Sequence, residues 1–305
     1  MNPSHSEICF IRFLTFLVVL TSCADRDDPD WERRRFGDGY RSGDANGDGP
    51  GDVGLEVTAA IPGARCNIWE QVGQVTISGV PNAAWAWAWL ADGPNPIYTE
   101  PALSTAHCNY HEYVQQNPCP ECPEGETCAS DGSCVRVPRL ATTAQLVLSA
   151  NEQNQVLAAD SMGTMQGEIT LPGSAFSLEL VGHSVEVTLA ETSLPGALAD
   201  LTGTLSGSYD HPTAIDITWT PPEDGGHVFT HIPINHHAFS VTFTECAVDA
   251  STGALHVDED MLVPLAVATG LEFQGIEHIN FAAAETRLGC IEIRYARPHY
   301  VELGN

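Results

Sequence analysis

After Arg139, apolar and polar residues alternate with a period of two along one segment after another. The clearest alternating segments are 146–148, 167–171, 176–180, 185–189, 215–219, 239–243 and 291–295, with Leu205 in a further one. Turn residues such as Pro172-Gly173 and Gly225-Gly226 separate them. Strand side chains point alternately to opposite faces, so each segment has one apolar and one polar face. Seven or more such short strands predict an all-β fold, with an antiparallel two-layer β-sandwich over residues 140–305.

The same period appears earlier in the chain, within residues 54–118. Three alternating segments, 55–58, 74–78 and 84–89, are separated by Pro and Gly. They predict a smaller N-terminal β region built on a small antiparallel sheet.

One helix is predicted to begin near Asp258, whose side chain can cap it. The acidic residues that follow favour the first turn of a helix. Pro264 lies six residues later, so the helix is expected to be short.

Trp85, Trp87 and Trp89 form the one aromatic stripe of the chain. As a strand, this segment places the three indoles on one face and the alanines between them on the other. Aromatic residues dominate sheet cores, so a buried stripe is the first expectation. The alternative is a candidate ligand platform, because three adjacent indoles fill much interlayer space and a planar row of rings can stack on sugars or other flat ligands.

The N-terminus reads as an export signal over residues 1–22. An apolar run at 13–20 is too short to span a bilayer and is typical of a signal-peptide core. It ends in Leu20-Thr21-Ser22-Cys23, which resembles the lipobox of bacterial lipoproteins. The resemblance implies lipid attachment at Cys23 and a lipid-anchored protein of the cell envelope. Ala24, where retention signals often place Asp, favours the outer membrane over the inner; the alternative is an ordinary secretory signal with a chance cysteine.

Four cysteines, Cys119, Cys122, Cys128 and Cys134, form a module at 119–135 between the two β-patterned halves. Four thiols could ligate zinc, but export to an oxidising compartment favours disulfides. The spacing resembles small EGF-like knots, although a full EGF domain has six cysteines. The resemblance implies Cys119–Cys128 and Cys122–Cys134 pairing, and a module this small would act as a brace or spacer.

Four more cysteines lie in the two β-patterned halves. Cys66 and Cys108 most simply pair with each other, although either could join the cysteine module. Cys246 and Cys290, each near the end of an alternating strand, are expected to pair and to tie down the last strand. All eight of these cysteines are predicted to be oxidised.

The charge is strongly one-sided. The formal net charge is −28, all twelve basic residues are Arg, and none lies between Arg139 and Arg287. The absence of Lys excludes a P-loop, a Ser-x-x-Lys nucleophile pair and Schiff-base chemistry. The acidic surface argues against nucleic acid as a partner.

Residues 23–53 are rich in Asp, Gly and Arg and predict a disordered acidic tether. Within it, Asp44, Asn46 and Asp48 match the first half of a calcium-binding loop. The bidentate acid expected at position 12 is replaced by Leu55, so an acidic linker is favoured over a calcium site.

Histidines supply the remaining candidate chemistry. His227, His231, His236 and His237 surround Pro233, but one strand face cannot collect three of them without a bend. His107 and His111 are four apart, and an exposed loop is the expectation there. No metal site and no cofactor is predicted, and no catalytic motif is found, although a carboxylate pair facing a cleft is compatible with the many acidic residues.

Together these features predict an envelope-anchored lipoprotein that acts as a non-enzymatic binding or structural module. Its expected partners are the lipid bilayer, through Cys23, and a polysaccharide or protein ligand on the cell surface. The alternative is a metal-dependent or carboxylate-pair hydrolase that acts on envelope or extracellular polymer.

Overall fold

The computed structural model describes residues 55–96, 100–112, 122–129, 132–171, 175–234, 242–269, 273 and 275–304. The strands of the first half are β1 (Glu56–Ala59), β2 (Ile61–Pro62), β3 (Gln71–Val80), β4 (Ala83–Leu90), β5 (Leu103–Ser104), β6 (Cys108–His111), β7 (Glu126–Cys128) and β8 (Cys134–Arg136). The later strands are β9 (Gln145–Ala150), β10 (Gln153–Ala158), β11 (Thr164–Ile169), β12 (Ala175–Gly182), β13 (Val185–Ser193), β14 (Ala199–Gly207), β15 (Pro212–Thr220), β16 (His227–Pro233), β17 (Phe243–Asp249), β18 (Ala254–Asp258), β19 (Ile276–Thr286), β20 (Gly289–His299) and β21 (Leu303–Gly304). The helices are α1 (Glu259–Thr269) and two 3-10 turns, Ile68–Glu70 and Ala250–Thr252.

Three sheets and one hairpin contain these strands. The long sheet has the order β11-β4-β3-β20-β19-β16-β17-β6-β5, with β2 added to β19. The five-stranded sheet has the order β1-β13-β12-β9-β10, and the four-stranded sheet has the order β18-β15-β14-β21. β7 and β8 form the separate hairpin of the cysteine module.

The two smaller sheets cover the same face of the long sheet. Ala282 packs in a core with Leu146 and Leu180 of the five-stranded sheet, whereas Ile276 packs in a core with Ile215 of the four-stranded sheet. Both Ala282 and Ile276 lie on β19, an even number of residues apart, so they point to the same side. The predicted all-β sandwich is therefore confirmed, with one long layer under two short ones. The opposite side of the long sheet is called the outer face below.

The predicted separate N-terminal sheet is wrong. β3 pairs with β4 as expected, but its other neighbour is β20, in parallel. β1 pairs in parallel with β13 of the five-stranded sheet. The alternation defines the two faces of each N-terminal strand but not its hydrogen-bonding partner, and these partners come from the C-terminal half.

The predicted helix exists but is longer than expected. α1 has 11 residues, begins directly after Asp258 and contains Pro264. Proline removes one intrahelical hydrogen bond, yet Leu262 and Leu265 on either side of it are fully buried in the second core. The Thr244 hydroxyl also donates to the Met261 carbonyl at 2.7 Å. Tertiary packing thus stabilises the helix on both sides of Pro264. Within the described residues, no helix is long and apolar enough to cross a membrane.

The predicted pairing of the four scattered cysteines is also wrong. Cys66 is bonded to Cys290, and Cys108 is bonded to Cys246. Cys108 lies directly opposite Cys246 in the β6–β17 ladder, and Cys290 begins the strand that runs beside β3. Both disulfides therefore join the two halves of the chain.

Where it can be compared, the cysteine module has the pairing that the resemblance to EGF-like knots implies. Cys122 is bonded to Cys134, across a hairpin in which Cys128 lies opposite Cys134. Cys128 is itself in a disulfide. Cys119 lies outside the described residues.

Candidate functional site

The tryptophan row of β4 lies on the outer face. Trp85, Trp87 and Trp89 are half-buried, whereas the alanines that alternate with them are buried in the first core. Ala86 and Ala88 have no exposed surface. The stripe therefore lies outside the first core, because the small methyl groups fill the space under the five-stranded sheet and the rings point away from it. The three rings are nevertheless only partly exposed, and the indole nitrogen of Trp85 is buried.

Polar side chains border the row on both sides, and all of them except Glu168 are uncharged. Partners in the register share a face, so the neighbours of the row follow from the ladders. On β3 they are Gln74 beside Trp89, Thr76 beside Trp87 and Ser78 beside Trp85. On β11 they are Thr164 beside Trp89, Gln166 beside Trp87 and Glu168 beside Trp85.

Hydrogen bonds hold the polar row of β3 in place. The Gln71 side-chain amide donates to the Gln74 side-chain oxygen Oε1 at 3.2 Å, and the Gln74 side-chain amide donates to the Thr76 hydroxyl at 2.9 Å. Because β4 is bonded to β3 and β11 along its whole length, the three rings stand on a rigid support. Successive rings are spaced about 6.5 to 7 Å apart along the strand, and adjacent rows are about 4.8 Å apart.

The other half of the outer face holds a charged cluster around Arg65. The Arg65 guanidinium lies 3.5 Å from Glu245 and 3.7 Å from Glu292. Its Cζ atom is 4.3 Å from the centre of the Phe281 ring and 5.6 Å from that of Phe229. Cation–π contact and two carboxylates thus hold one arginine over the sheet.

Glu292 connects this cluster to the segment of the chain between β2 and β3. One carboxylate oxygen accepts a hydrogen bond from Arg294 Nε at 2.6 Å, and the other accepts from the Cys66 backbone N–H at 2.9 Å. The Gly63 N–H donates to the Phe281 carbonyl at 2.8 Å. The segment that links β2 to β3 is therefore fastened across this half of the outer face.

The pKa values of two buried carboxyl groups in this half of the face, Glu245 and Glu277, are shifted in opposite directions. Burial opposes the ionisation of Glu245, but the nearby His111 ring and the charges of Arg65 and Arg294 lower its pKa to about 2. Glu277 is also buried on this face, and there burial raises the pKa to about 7, with Arg294 offsetting only part of the effect. Glu245 is thus an ionised partner of arginine, while Glu277 is about half protonated near pH 7.

The predicted histidine group is only partly described. His227 and His231 lie on one face of β16, on either side of Phe229, as the period of two requires. Burial lowers the pKa of His231 to about 4, against the opposing charge of Glu245. His236 and His237 lie outside the described residues. No group of three or more His, Cys, Asp or Glu residues suited to a metal occurs in the described part of the chain.

The expectation of an exposed loop at His107 and His111 holds for only one of the two. His107 is exposed before β6, whereas His111 lies on β6 with 4% of its surface exposed. The His111 ring stacks on Phe243 at 4.8 Å and lies 3.9 Å from Glu245. A polar cleft of about 240 Å³ opens nearby, lined by Arg65, His107, Asn109 and Glu245 among others.

Sequence reasoning missed the charged cluster. Glu292 and Arg294 were visible as opposite charges two apart on one face of a strand, in a chain with few basic residues. Nothing in the sequence connected Arg65 or Glu245 to them. Cys23 and the residues of the half-matched calcium loop, Asp44, Asn46 and Asp48, lie outside the described residues.

Comparison with known proteins gives no family. No protein-family model matches the chain, and no curated protein matches it. Among solved structures, the FN1–FN3 domains of chicken CNTN1 align at 8% identity and a TM-score of 0.18, over 79% of this chain and 66% of that one. A Ca²⁺-stabilized adhesin with which an Antarctic bacterium binds ice aligns at 10% identity and 0.19, over 79% and 50%.

A third similar structure is a protein from Bacteroides uniformis proposed to bind carbohydrate. It aligns at 10% identity and a TM-score of 0.19, over 53% of this chain and 89% of that one. This chain spans less than two thirds of the length of the first two structures. TM-scores this low do not establish a shared topology, so the function must be derived from the residues of this chain.

Proposed function

We propose that the protein is a lipid-anchored, non-enzymatic binding module of the bacterial cell envelope, which holds a polysaccharide on the tryptophan row. One observation carries the proposal: on β4 the alanines fill the core and the three indoles face outward. Large aromatic side chains usually contribute their area to a core or an interface. Here they contribute little to the core, so an interface is the role that explains them.

The surroundings of the row suit a sugar chain. Ring faces stack on the apolar faces of pyranose units, and the amides and hydroxyls alongside can exchange hydrogen bonds with sugar hydroxyls. The spacing of about 6.5 to 7 Å between rings is comparable to the length of one pyranose unit. A rigid platform also lowers the entropy lost on binding.

Attachment to the membrane is the second part of the proposal. The lipobox match at residues 20–23 supports lipidation of Cys23, and three acyl chains exceed what stable anchoring requires. A tether of about 30 residues with few apolar side chains would then hold the β-sandwich a few tens of ångströms from the bilayer. Ala24 after the cysteine favours the outer membrane.

Affinity gel electrophoresis tests the binding site. Trp87→Ala is expected to lose the retardation that the wild type shows in a gel containing neutral polysaccharide, while its melting temperature changes little. Tyr209→Ala is the matched control, because Tyr209 is an aromatic residue that is 46% exposed and lies between β14 and β15 of the four-stranded sheet, not on the long sheet that carries the row. Equal retardation of wild type and Trp87→Ala would contradict the proposed site.

Detergent-phase partition tests the anchor. Cys23→Ala is expected to leave the protein in the aqueous phase, since without acyl chains the tether has no apolar segment that could hold a bilayer. If the variant stays in the detergent phase, the lipobox interpretation is wrong.

A further inference from the structure

The described side chains around the tryptophan row carry little free positive charge, which does not suit the binding of an acidic polymer. Of the six side chains that flank the row on β3 and β11, Glu168 is the only one that ionises. The nearest basic side chain in the ladder is Arg294 on β20, beside Thr76. Its guanidinium already pairs with Glu292 at 2.6 Å, so it offers little free positive charge.

Distance and screening weaken Arg294 further as a partner for a bound ligand. Arg294 lies two strands from Trp87, or about 10 Å. This distance is comparable to the screening length of physiological salt. An anionic chain on the row would meet the Glu168 carboxylate and a protein of net charge −28. None of the six flanking side chains is an arginine that could hold an acidic group by bidentate contacts.

The flanking side chains instead suit uncharged hydroxyl groups. Gln166 is exposed on β11, and Thr76 lies on the other side of Trp87. Each of the two rows is about 4.8 Å from the ring row. A pyranose stacked on Trp87 would therefore present its edge hydroxyls to an amide on one side and to a hydroxyl on the other.

From these observations we infer that the site selects uncharged polysaccharides and rejects anionic ones, with Gln166 contacting the hydroxyls of the sugar stacked on Trp87. This inference rests on the proposed function. It adds the ligand class and one specificity residue.

The test uses the mature protein in gels that contain galactomannan, hydroxyethylcellulose or dextran as neutral probes and polygalacturonate as the anionic probe. At low salt, wild type is expected to be retarded by at least one neutral gel and not by polygalacturonate. Gln166→Ala is expected to bind the neutral gel about three- to tenfold more weakly, the loss expected for one hydrogen-bonding side chain. Gln153→Ala, which removes an exposed glutamine from β10, is expected to bind as the wild type does.

A charge-introducing variant gives the sharper test. Gln166→Arg is expected to gain retardation by polygalacturonate at low salt and to lose it at high salt, because a guanidinium then stands beside Trp87. The charge selectivity would be overturned if polygalacturonate retards the wild type at low salt and this retardation disappears in Trp87→Ala. That outcome would leave the proposed site intact. Gln166→Ala that binds as tightly as wild type would overturn the role of Gln166. No retardation by any gel would overturn the proposed function itself.

Discussion

The two halves of the outer face belong to one continuous sheet, but one half is covered by another segment of the chain and the other half is not. On β20, β19, β16 and β17, the segment between β2 and β3 lies over the sheet, held by Arg65, Glu245 and Glu292. On β3, β4 and β11, the surface carries a partly exposed tryptophan row between polar side chains, of which only Glu168 is acidic.

This difference suggests that the charged half contributes mainly to stability and the tryptophan half mainly to ligand binding. In the charged half, opposite charges and aromatic rings satisfy one another, so a lost partner leaves a buried charge exposed to an apolar environment. In the tryptophan half, the rings keep part of their surface in water, and their loss should mainly remove a contact with a ligand. Mutations in the two halves are therefore expected to change different properties.

The largest effect is expected at Glu292, which has 1% of its surface exposed and contacts two arginines. Glu292→Ala leaves Arg65 and Arg294 without this carboxylate, and removal of one partner of a buried ion pair costs about 3 to 5 kcal/mol. Denaturant unfolding measures the loss. Glu285→Ala on the neighbouring strand is the control, because Glu285 is exposed and should change stability by about 0.5 kcal/mol or less. Similar midpoints for the two variants would show that the cluster does not stabilise the fold.

The next effect concerns the disulfide beside the cluster. Replacing both Cys66 and Cys290 by Ser opens a bond that spans 224 residues, and removal of a native disulfide typically costs about 2 to 5 kcal/mol. The double change Cys122→Ser and Cys134→Ser opens a bond that spans 12 residues and should cost less, because it closes a short hairpin outside the three sheets. Thermal melting compares the two pairs. A larger loss from the short bond would contradict the assignment of the long bond to the join between the two halves.

A smaller, pH-dependent effect is expected at Glu277. Burial raises its folded-state pKa from 4.5 to about 7, so between these values the folded protein holds a proton that the unfolded chain has released. Through Glu277, the free energy of unfolding therefore falls as pH rises across this window. Glu277→Gln stays neutral and should gain stability over wild type on the order of 1 to 3 kcal/mol at about pH 8.

The gain from Glu277→Gln should disappear below about pH 3.5, under the pKa of 4.5 of the unfolded chain, where both states of the wild type hold the proton. His231, with its pKa lowered to about 4, has the opposite slope, but it is present in both proteins and cancels in the comparison. Denaturant unfolding at several pH values checks the difference, and a gain independent of pH would contradict the buried neutral carboxyl.

The period of two was sufficient to predict the all-β sandwich and many of its strands, but it missed β16 and β19 in the middle of the long sheet. It also placed the three tryptophans on one face and the alanines on the other. It could not decide which face meets the core, because both residue types are apolar and the answer depends on how close the five-stranded sheet lies to β4. Methyl groups fit that space, and indoles do not.

The disulfide pairing and the charged cluster could not be predicted for a related reason. Both depend on strands that are far apart in sequence becoming neighbours, such as β6 with β17 and β3 with β20. Alternation describes one strand at a time and carries no information about such partners. The nearest-neighbour pairing of Cys66 with Cys108 and of Cys246 with Cys290 therefore failed.

The most direct test of the central claim is a fluorescence titration of the mature protein with a neutral oligosaccharide taken from the polysaccharide that retards it, performed on wild type and Trp87→Ala. Trp219 lies in the second core, is 5% exposed and donates its indole N–H to the Ala250 carbonyl at 2.7 Å, so it should not respond. A saturable change in emission is predicted for wild type. Trp87→Ala should lose that change while its free energy of unfolding shifts by about 1 kcal/mol or less, the behaviour of a surface site. A loss of about 3 to 5 kcal/mol, the cost of deleting a core aromatic residue, with oligosaccharide binding unchanged, would contradict the account.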